Sequence, residues 1–274
     1  MSEGLSTVYI ETVGDYLNIL PELEEFSDRV MDKLTLYRGQ GNKKWELLPG
    51  ALRNQEDFLN EELYMRECIR QYPEEFQNKS KIDILIKMQH YGIPTRLLDL
   101  TRNPLVALYF ACASEQDEDG VVYVWNGPVA RSSDICVNTI AECLFSYESH
   151  GRIHIPESGI QIAGQHISHN DVKYYINIKH PIVFQTDLSN PRIRNQNGYF
   201  AFYNITSSWE EASFPKKIYI RAENKDKIIA QLSRIGIDTR YLFPEFSSAT
   251  ACIVSSIKKR NIEINKKLGL PAND

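Results

Sequence analysis

Between Met88 and Ala113 the chain reads MQHYGIPTRLLDLTRNPLVALYFACA, and this stretch restricts the fold more than any other. Ile82, Leu85, Ile86 and Gln89 recur at helical spacing, and Gly92 can take the positive φ that closes a helix, so a helix is expected to stop at His90 and Tyr91. Pro94 pushes Ile93 into extended geometry, and Leu97 and Leu98 flank a short segment ending at Asp99. A second helix follows. Thr101 or Asn103 can cap it, Pro104 suits its first position because an N–H there has no intrahelical partner, and Leu105, Leu108, Ala111 and Cys112 supply an apolar face. The amino terminus of that helix, with Arg96 and Arg102 close in sequence, predicts an anion pocket.

The rest of the chain sets bounds. Its 274 residues suffice for one large domain or two small ones, and 42% hydrophobic with 24% charged residues is the balance of a globular protein. A formal net charge of -5 argues against a surface built for nonspecific nucleic-acid binding, while leaving room for a local basic pocket. Cys68, Cys112, Cys136, Cys143 and Cys252 show no CxxC or Cys/His ligand spacing, which reads as free thiols in a reducing cytoplasm. His150, His154, His166 and His169 share no metal-ligand spacing, so no metal is expected. The opening MSEGLSTVYIET lacks the order of a signal peptide and no apolar run reaches membrane-spanning length, so a cytoplasmic protein without a membrane partner is expected.

Periodicity predicts strands at residues 7–11, 34–37 and 121–125, and helices from Thr12 through Leu20, from Gln55 to Gln71 and over 133–148. From Tyr174 the pattern turns to strands, YYINI, PIVFQT, GYFAFY and KKIYIRA, followed by helices over 226–235 and 246–259. No repeat or linker interrupts it. The expectation is α+β: a single mixed domain over 1–274, core about 12–256 and a frayed tail from 261, with a central, largely antiparallel sheet and several packed helices.

These landmarks carry a resemblance. Tyr37-Arg38-Gly39, the block from His90 to Asp99, then Asn103-Pro104 and Ala107 to Ala111 resemble the FRG-domain family, a bacterial and phage-associated group called after its (Phe/Tyr)-Arg-Gly motif. Arg194, Gln196, Gly198 and Phe200, Ile235 to Ile237 and Leu242 to Pro244 match in order. Leu100 departs from the family, which often has an aromatic residue there. A weaker similarity links a strand ending in Tyr-Arg-Gly to ADP-ribosyltransferases of the Arg-Ser-Glu kind. It implies that Arg38 and Gly39 help hold NAD and that a late glutamate, for which Glu245 is the candidate, orients the ribose or activates the acceptor. Leu98 to Thr101 stands where a Ser-Thr-Ser would be expected.

The residues allow two readings each. Arg38 either grips a phosphate bidentately or is buried against Asp99, and Gly39 lets backbone approach a ligand closely. His90 serves as a general acid or base, or caps the carbonyls ending its helix. Arg96 and Asp99, three apart in an extended segment, project to opposite faces, so each needs its own partner, with Arg38 or Arg194 offered to Asp99. Gln196 supports a turn or reads a ligand amide, and Tyr91, outside the helical repeat, can stack on a base. Together they define a nucleotide-binding effector whose catalytic candidates are His90 and Glu245 and whose cofactor candidates are Arg38, Gly39, Tyr91, Arg96, Asp99 and Gln196. The chemistry that the resemblances imply is ADP-ribosyl transfer to a protein or nucleic-acid acceptor, or NAD hydrolysis, in phage defence or a toxin system. The alternative is a noncatalytic sensor of a nucleotide, a nucleic-acid end or a phage protein. The sequence leaves oligomeric state open.

Overall fold

A computed structural model describes residues 8–23, 33–145, 147–148, 152–153, 155–186, 191–204 and 216–244. In chain order these form β1 Val8–Ile10, α1 Val13–Leu23, β2 Lys33–Gln40, α2 Gln55–Gln71, α3 Pro73–Phe76, α4 Lys81–His90, β3 Leu97–Thr101, α5 Pro104–Cys112, β4 Gly120–Pro128, β5 Ala130–Arg131 and α6 Ile135–Phe145. Then come β6 Tyr147–Glu148, β7 Arg152–Ile153, β8 Ile160–Ile162, β9 Gln165–Ile167, α7 His169–Ile176, β10 Ile182–Gln185, α8 Pro191–Asn195, β11 Gly198–Phe202, β12 Lys216–Ile220, α9 Lys225–Arg234 and α10 Thr239–Leu242.

An eight-stranded sheet in the order β1-β12-β4-β2-β3-β11-β10-β5 joins the two ends of the described chain. Its outermost pairings, β1 with β12 and β10 with β5, are parallel, and those between are antiparallel. The fold is therefore α+β with a mostly antiparallel sheet. Side chains alternate faces as the pleat requires. On one face Tyr37, Val122, Val124, Ile218 and Ile220 pack with Val106, Ala107 and Leu108 of α5 and with Ile228 and Leu232 of α9. On the same face, farther along the sheet, Leu97, Phe184, Phe200 and Phe202 meet Leu85 and Met88 of α4 and Ile140 of α6. The opposite face holds Leu36, Leu98, Leu100, Tyr123, Trp125 and Tyr203, with Leu47, Leu48 and Leu52 packed on it. Two helical clusters thus share one face, and β3 runs where they part.

Glycine is required where α5 lies on the sheet. A Cβ on Gly39 would stand 1.8 Å from the carbonyl oxygen of Ala107, and one on Gly120 2.2 Å from that of Ala111. The other end of α5 is clasped by Lys225, fully buried, whose Nζ donates to the carbonyls of Gly41 (2.6 Å), Ser114 (2.9 Å) and Glu115 (2.8 Å). Burial lowers the pKa of this ammonium, and those three acceptors replace its water.

Local signals hold in the central stretch. Asn103 caps α5 by accepting from Leu105 N–H at 3.0 Å, Pro104 stands in the first turn, and Gly92 has φ +88°. YYINI differs from its expected strand. Ser168 accepts from Asp171 N–H and starts α7, which carries Tyr174 and Tyr175 as helix and buries Val172. The side-chain cap at Ser168, six residues before Tyr174, overrides the β-leaning alternation. The predicted helix over 246–259 lies outside the described residues, as do His150 and His154.

Candidate functional site

A polar groove follows the seam between the helical clusters. One part, about 60 Å³, lies over β3 and β11 and is lined by Gln89, His90, Asp99, Arg192, Gln196 and Phe200 among others. The adjoining part, about 150 Å³, is lined by Arg38, Gly39, Asp99, Thr101, Phe110, Arg192 and Gln196. Asp99, Leu100, Arg192 and Gln196 belong to both, so the two parts form one groove centred on Asp99.

Strand divergence opens the site. Among the described residues β2 pairs with β3 through the Tyr37–Thr101 bridge alone, whereas it pairs with β4 along its whole length. Past that bridge Arg38 substitutes for the missing ladder, its Nη1 donating to the carbonyl of Asp99 at 2.7 Å. Its Nε is buried without an acceptor among the described residues. Burial lowers the guanidinium pKa, the Asp99 charge pulls it back up, and nearby Arg53 adds to the lowering. A half-buried guanidinium whose shielded Nε lacks an acceptor among the described residues is favourable ground for an anion.

Asp99 is the exposed residue of an otherwise buried strand, and its carboxylate accepts from Gln89 Nε2 at 3.1 Å. The same Gln89 nitrogen donates to the Leu97 carbonyl, and its oxygen accepts from Thr95 Oγ1 at 2.6 Å, so the last turn of α4 is tied to β3 and His90 is carried to the groove. Gln196 donates through Nε2 to the Leu242 carbonyl at 3.0 Å, and its own carbonyl accepts from Thr101 Oγ1 at 2.6 Å. It therefore lines the groove while joining α8 to α10 and β3. Arg192 lies with its guanidinium 4.6 Å from the centre of the Phe243 ring.

Of the residues singled out in the sequence, Arg38, Gly39, His90, Asp99 and Gln196 meet in this groove. Arg96 does not. It is 1% exposed, and its Nε reaches the Glu61 carboxylate at 2.7 and 2.9 Å while Nη1 donates to the Asn204 carbonyl, so it joins α2 to the sheet and presents nothing to a ligand. Extended geometry sends Arg96 and Asp99 to opposite faces, as expected, and the inward side fell to the arginine. Tyr91 is 74% exposed and lines neither part of the groove, its ring standing edge-on to His90. Gly39 is explained by the Ala107 carbonyl packed against it rather than by a ligand. The anion pocket expected at the start of α5 is closed: Leu105 N–H is taken by the Asn103 side chain, and Val106 and Ala107 N–H by its carbonyl. Glu245 lies outside the described residues. Among those described, Asp99 is the one carboxylate lining the groove.

Sequence reasoning missed Gln89 and Arg192 as site residues. Gln89 left a trace, being polar at a position where helical spacing calls for an apolar side chain. Arg192 left none, because nothing local distinguishes it from Arg194, the arginine that carried the motif and that is exposed on α8.

The fold and groove define an α+β domain with a polar, partly cationic cleft between helices and sheet. Residues 33–120 match the family model of the FRG domain. The matched range holds Arg38, His90 and Asp99, whereas Arg192 and Gln196 are added from beyond it. No curated protein and no solved structure matches the chain. No helix among the described residues is long and apolar enough to cross a membrane.

Proposed function

We propose that the groove over Asp99 binds a nucleotide, NAD being the form the family resemblance implies. The observation that carries this reading is convergence: Arg38, His90, Asp99, Arg192 and Gln196 come from separate parts of the chain to one cleft. Arg38 and Arg192 supply positive charge for a pyrophosphate, and Asp99 suits ribose hydroxyls or a developing positive charge at C1′. For an effector acting in phage defence or as a toxin, the reaction is attack of water or an acceptor hydroxyl on C1′ of the nicotinamide ribose. The C1′–O bond forms, the C1′–N bond breaks, nicotinamide leaves with the bonding pair, and the attacking group's proton passes to His90 or to solvent.

A noncatalytic module is the second reading, and one observation favours it. Asp99 accepts from Gln89, and Arg38 donates to main chain, so the groove's polar groups are partly engaged within the protein. Incubating the purified chain with NAD and following free nicotinamide separates the two. Release that disappears in Asp99→Asn supports the enzyme. Calorimetric binding of NAD without release supports the sensor, and absence of both, with Arg192→Ala indistinguishable from the parent, removes the nucleotide reading of this groove.

A further inference from the structure

A larger cavity, about 330 Å³, lies beside the end of β2 and is lined by Gln40, Lys44, Trp45, Glu46, Leu48 and Arg53. None of these residues lines the groove over Asp99. The loop that forms it is held in place: Lys43 N–H donates to the Asp119 carbonyl at 2.7 Å, and Lys44 N–H to Asn42 Oδ1 at 2.9 Å. Lys43 Nζ reaches the Asp119 carboxylate at 2.8 Å. A tryptophan 45% exposed on a pinned loop bordering a cavity is an aromatic platform kept from the core.

The polar lining is specific in its demands. Gln40 is 4% exposed, donates Nε2 to the Glu46 carbonyl at 3.3 Å, and leaves Oε1 buried with no donor among the described residues. An occupant that supplies an N–H to that oxygen removes an unsatisfied acceptor. Lys44 and Arg53 call for negative charge. Lys44 is paired with Glu118 at 2.9 Å, but that exposed pair is weak and exchangeable for a phosphate, while Arg53 spends its Nε on the Leu48 carbonyl. Glu46, also on the wall, suits sugar hydroxyls rather than an anion.

We propose that this cavity is a mononucleotide site, with the base on Trp45, a base N–H on Gln40 and the phosphate toward Lys44 and Arg53. Each standard base carries an N–H donor and a flat face, and the volume is within the range of small-molecule pockets. The site is distinct from the groove over Asp99, and neither reading requires the other.

The test titrates the full chain with AMP, GMP, CMP and UMP, followed by calorimetry and tryptophan fluorescence, with adenosine and ribose 5-phosphate as ligands lacking the phosphate and the base. At least one nucleotide is expected to quench fluorescence and to bind about tenfold or more tighter than either fragment. Trp45→Ala, a change at an exposed position, is expected to weaken it about tenfold or more, the size of a lost base stack. Lys44→Ala weakens it less, and Lys227→Ala, at an exposed position on α9 away from both sites, leaves it unchanged. No nucleotide binding at millimolar concentration overturns the proposal. Binding that survives Trp45→Ala and is lost in Arg192→Ala also overturns it, because all nucleotide recognition then belongs to the groove over Asp99.

Discussion

Arg38, on β2, and Arg96, immediately before β3, are both drawn from motifs that look functional in the sequence, and they end in opposite conditions. Arg96 is sealed in the interior with a carboxylate on its Nε and a carbonyl on Nη1. Arg38 stands where β2 leaves β3, with Nη1 on a main-chain carbonyl and Nε without an acceptor among the described residues. A buried charge whose donors are matched inside the protein is fixed architecture, and one whose donors are left over at a cleft has capacity for a ligand. Proximity in sequence to the functional block says little about which condition applies.

The comparison breaks most visibly at Glu61. Glu61→Ala leaves the Arg96 guanidinium buried without its carboxylate, and about 3–5 kcal/mol of stability is expected to go, read from urea denaturation. A loss within about 0.5 kcal/mol, the range of ordinary surface substitutions, would contradict the assignment of Arg96 to architecture. The pair also sets a pH dependence. Burial raises the Glu61 pKa above the ordinary glutamate value, and Arg96 offsets this in part. A raised folded-state pKa means the folded protein holds that proton more tightly, so this group's contribution is present below the unfolded carboxylate pKa and is lost as pH rises through the folded one. In Glu61→Gln the corresponding slope in melting temperature should vanish over that window, even though the variant is less stable throughout.

Gly39 comes next in size. Gly39→Ala forces the strand and α5 apart, because the added methyl would meet the Ala107 carbonyl and the Ala111 nitrogen, both main-chain atoms that cannot rotate aside. Overpacking of this sort costs about 1–3 kcal/mol. If Gly39 served ligand approach instead, the alanine variant would keep its denaturation midpoint and lose only binding.

How far these conditions can be read from sequence depends on the reach of the interactions. The helix stop at Gly92, the Asn103 cap and the Pro104 start are set by neighbours within a few residues, so the central stretch is legible. Ser168 capping α7 is equally local, but the β-like alternation of YYINI masks it and predicts a strand where the last turn of α7 stands. The partner of Arg96 is on α2, where a glutamate in an acidic amphipathic helix resembles any solvated one, and its burial follows from tertiary packing alone. Arg192 is brought to Asp99 by the short helix α8, whose orientation is set by Asn195 and Gln196 bonding to the carbonyls of Tyr241 and Leu242. Those are contacts across the chain that no periodicity encodes. Gln89 is the instructive middle case: a polar residue on the buried side of a helical pattern signals a specific bond before any partner is known.

The smallest expected effect bears most directly on the two arginines. Arg38→Met keeps the aliphatic volume between the strands and removes a charge whose burial already depresses its pKa. The cost is the bond to the Asp99 carbonyl, about 0.5–1.5 kcal/mol, offset by relief of the unsatisfied Nε. Stability should therefore fall far less than in Glu61→Ala, while nucleotide binding in the groove, measured by calorimetry at matched folded concentration, should weaken clearly because one of its cations is gone. A methionine variant as unstable as Glu61→Ala would make Arg38 a second structural arginine. The anion site would then rest on Arg192, and Arg192→Ala alone would have to account for the whole loss of affinity.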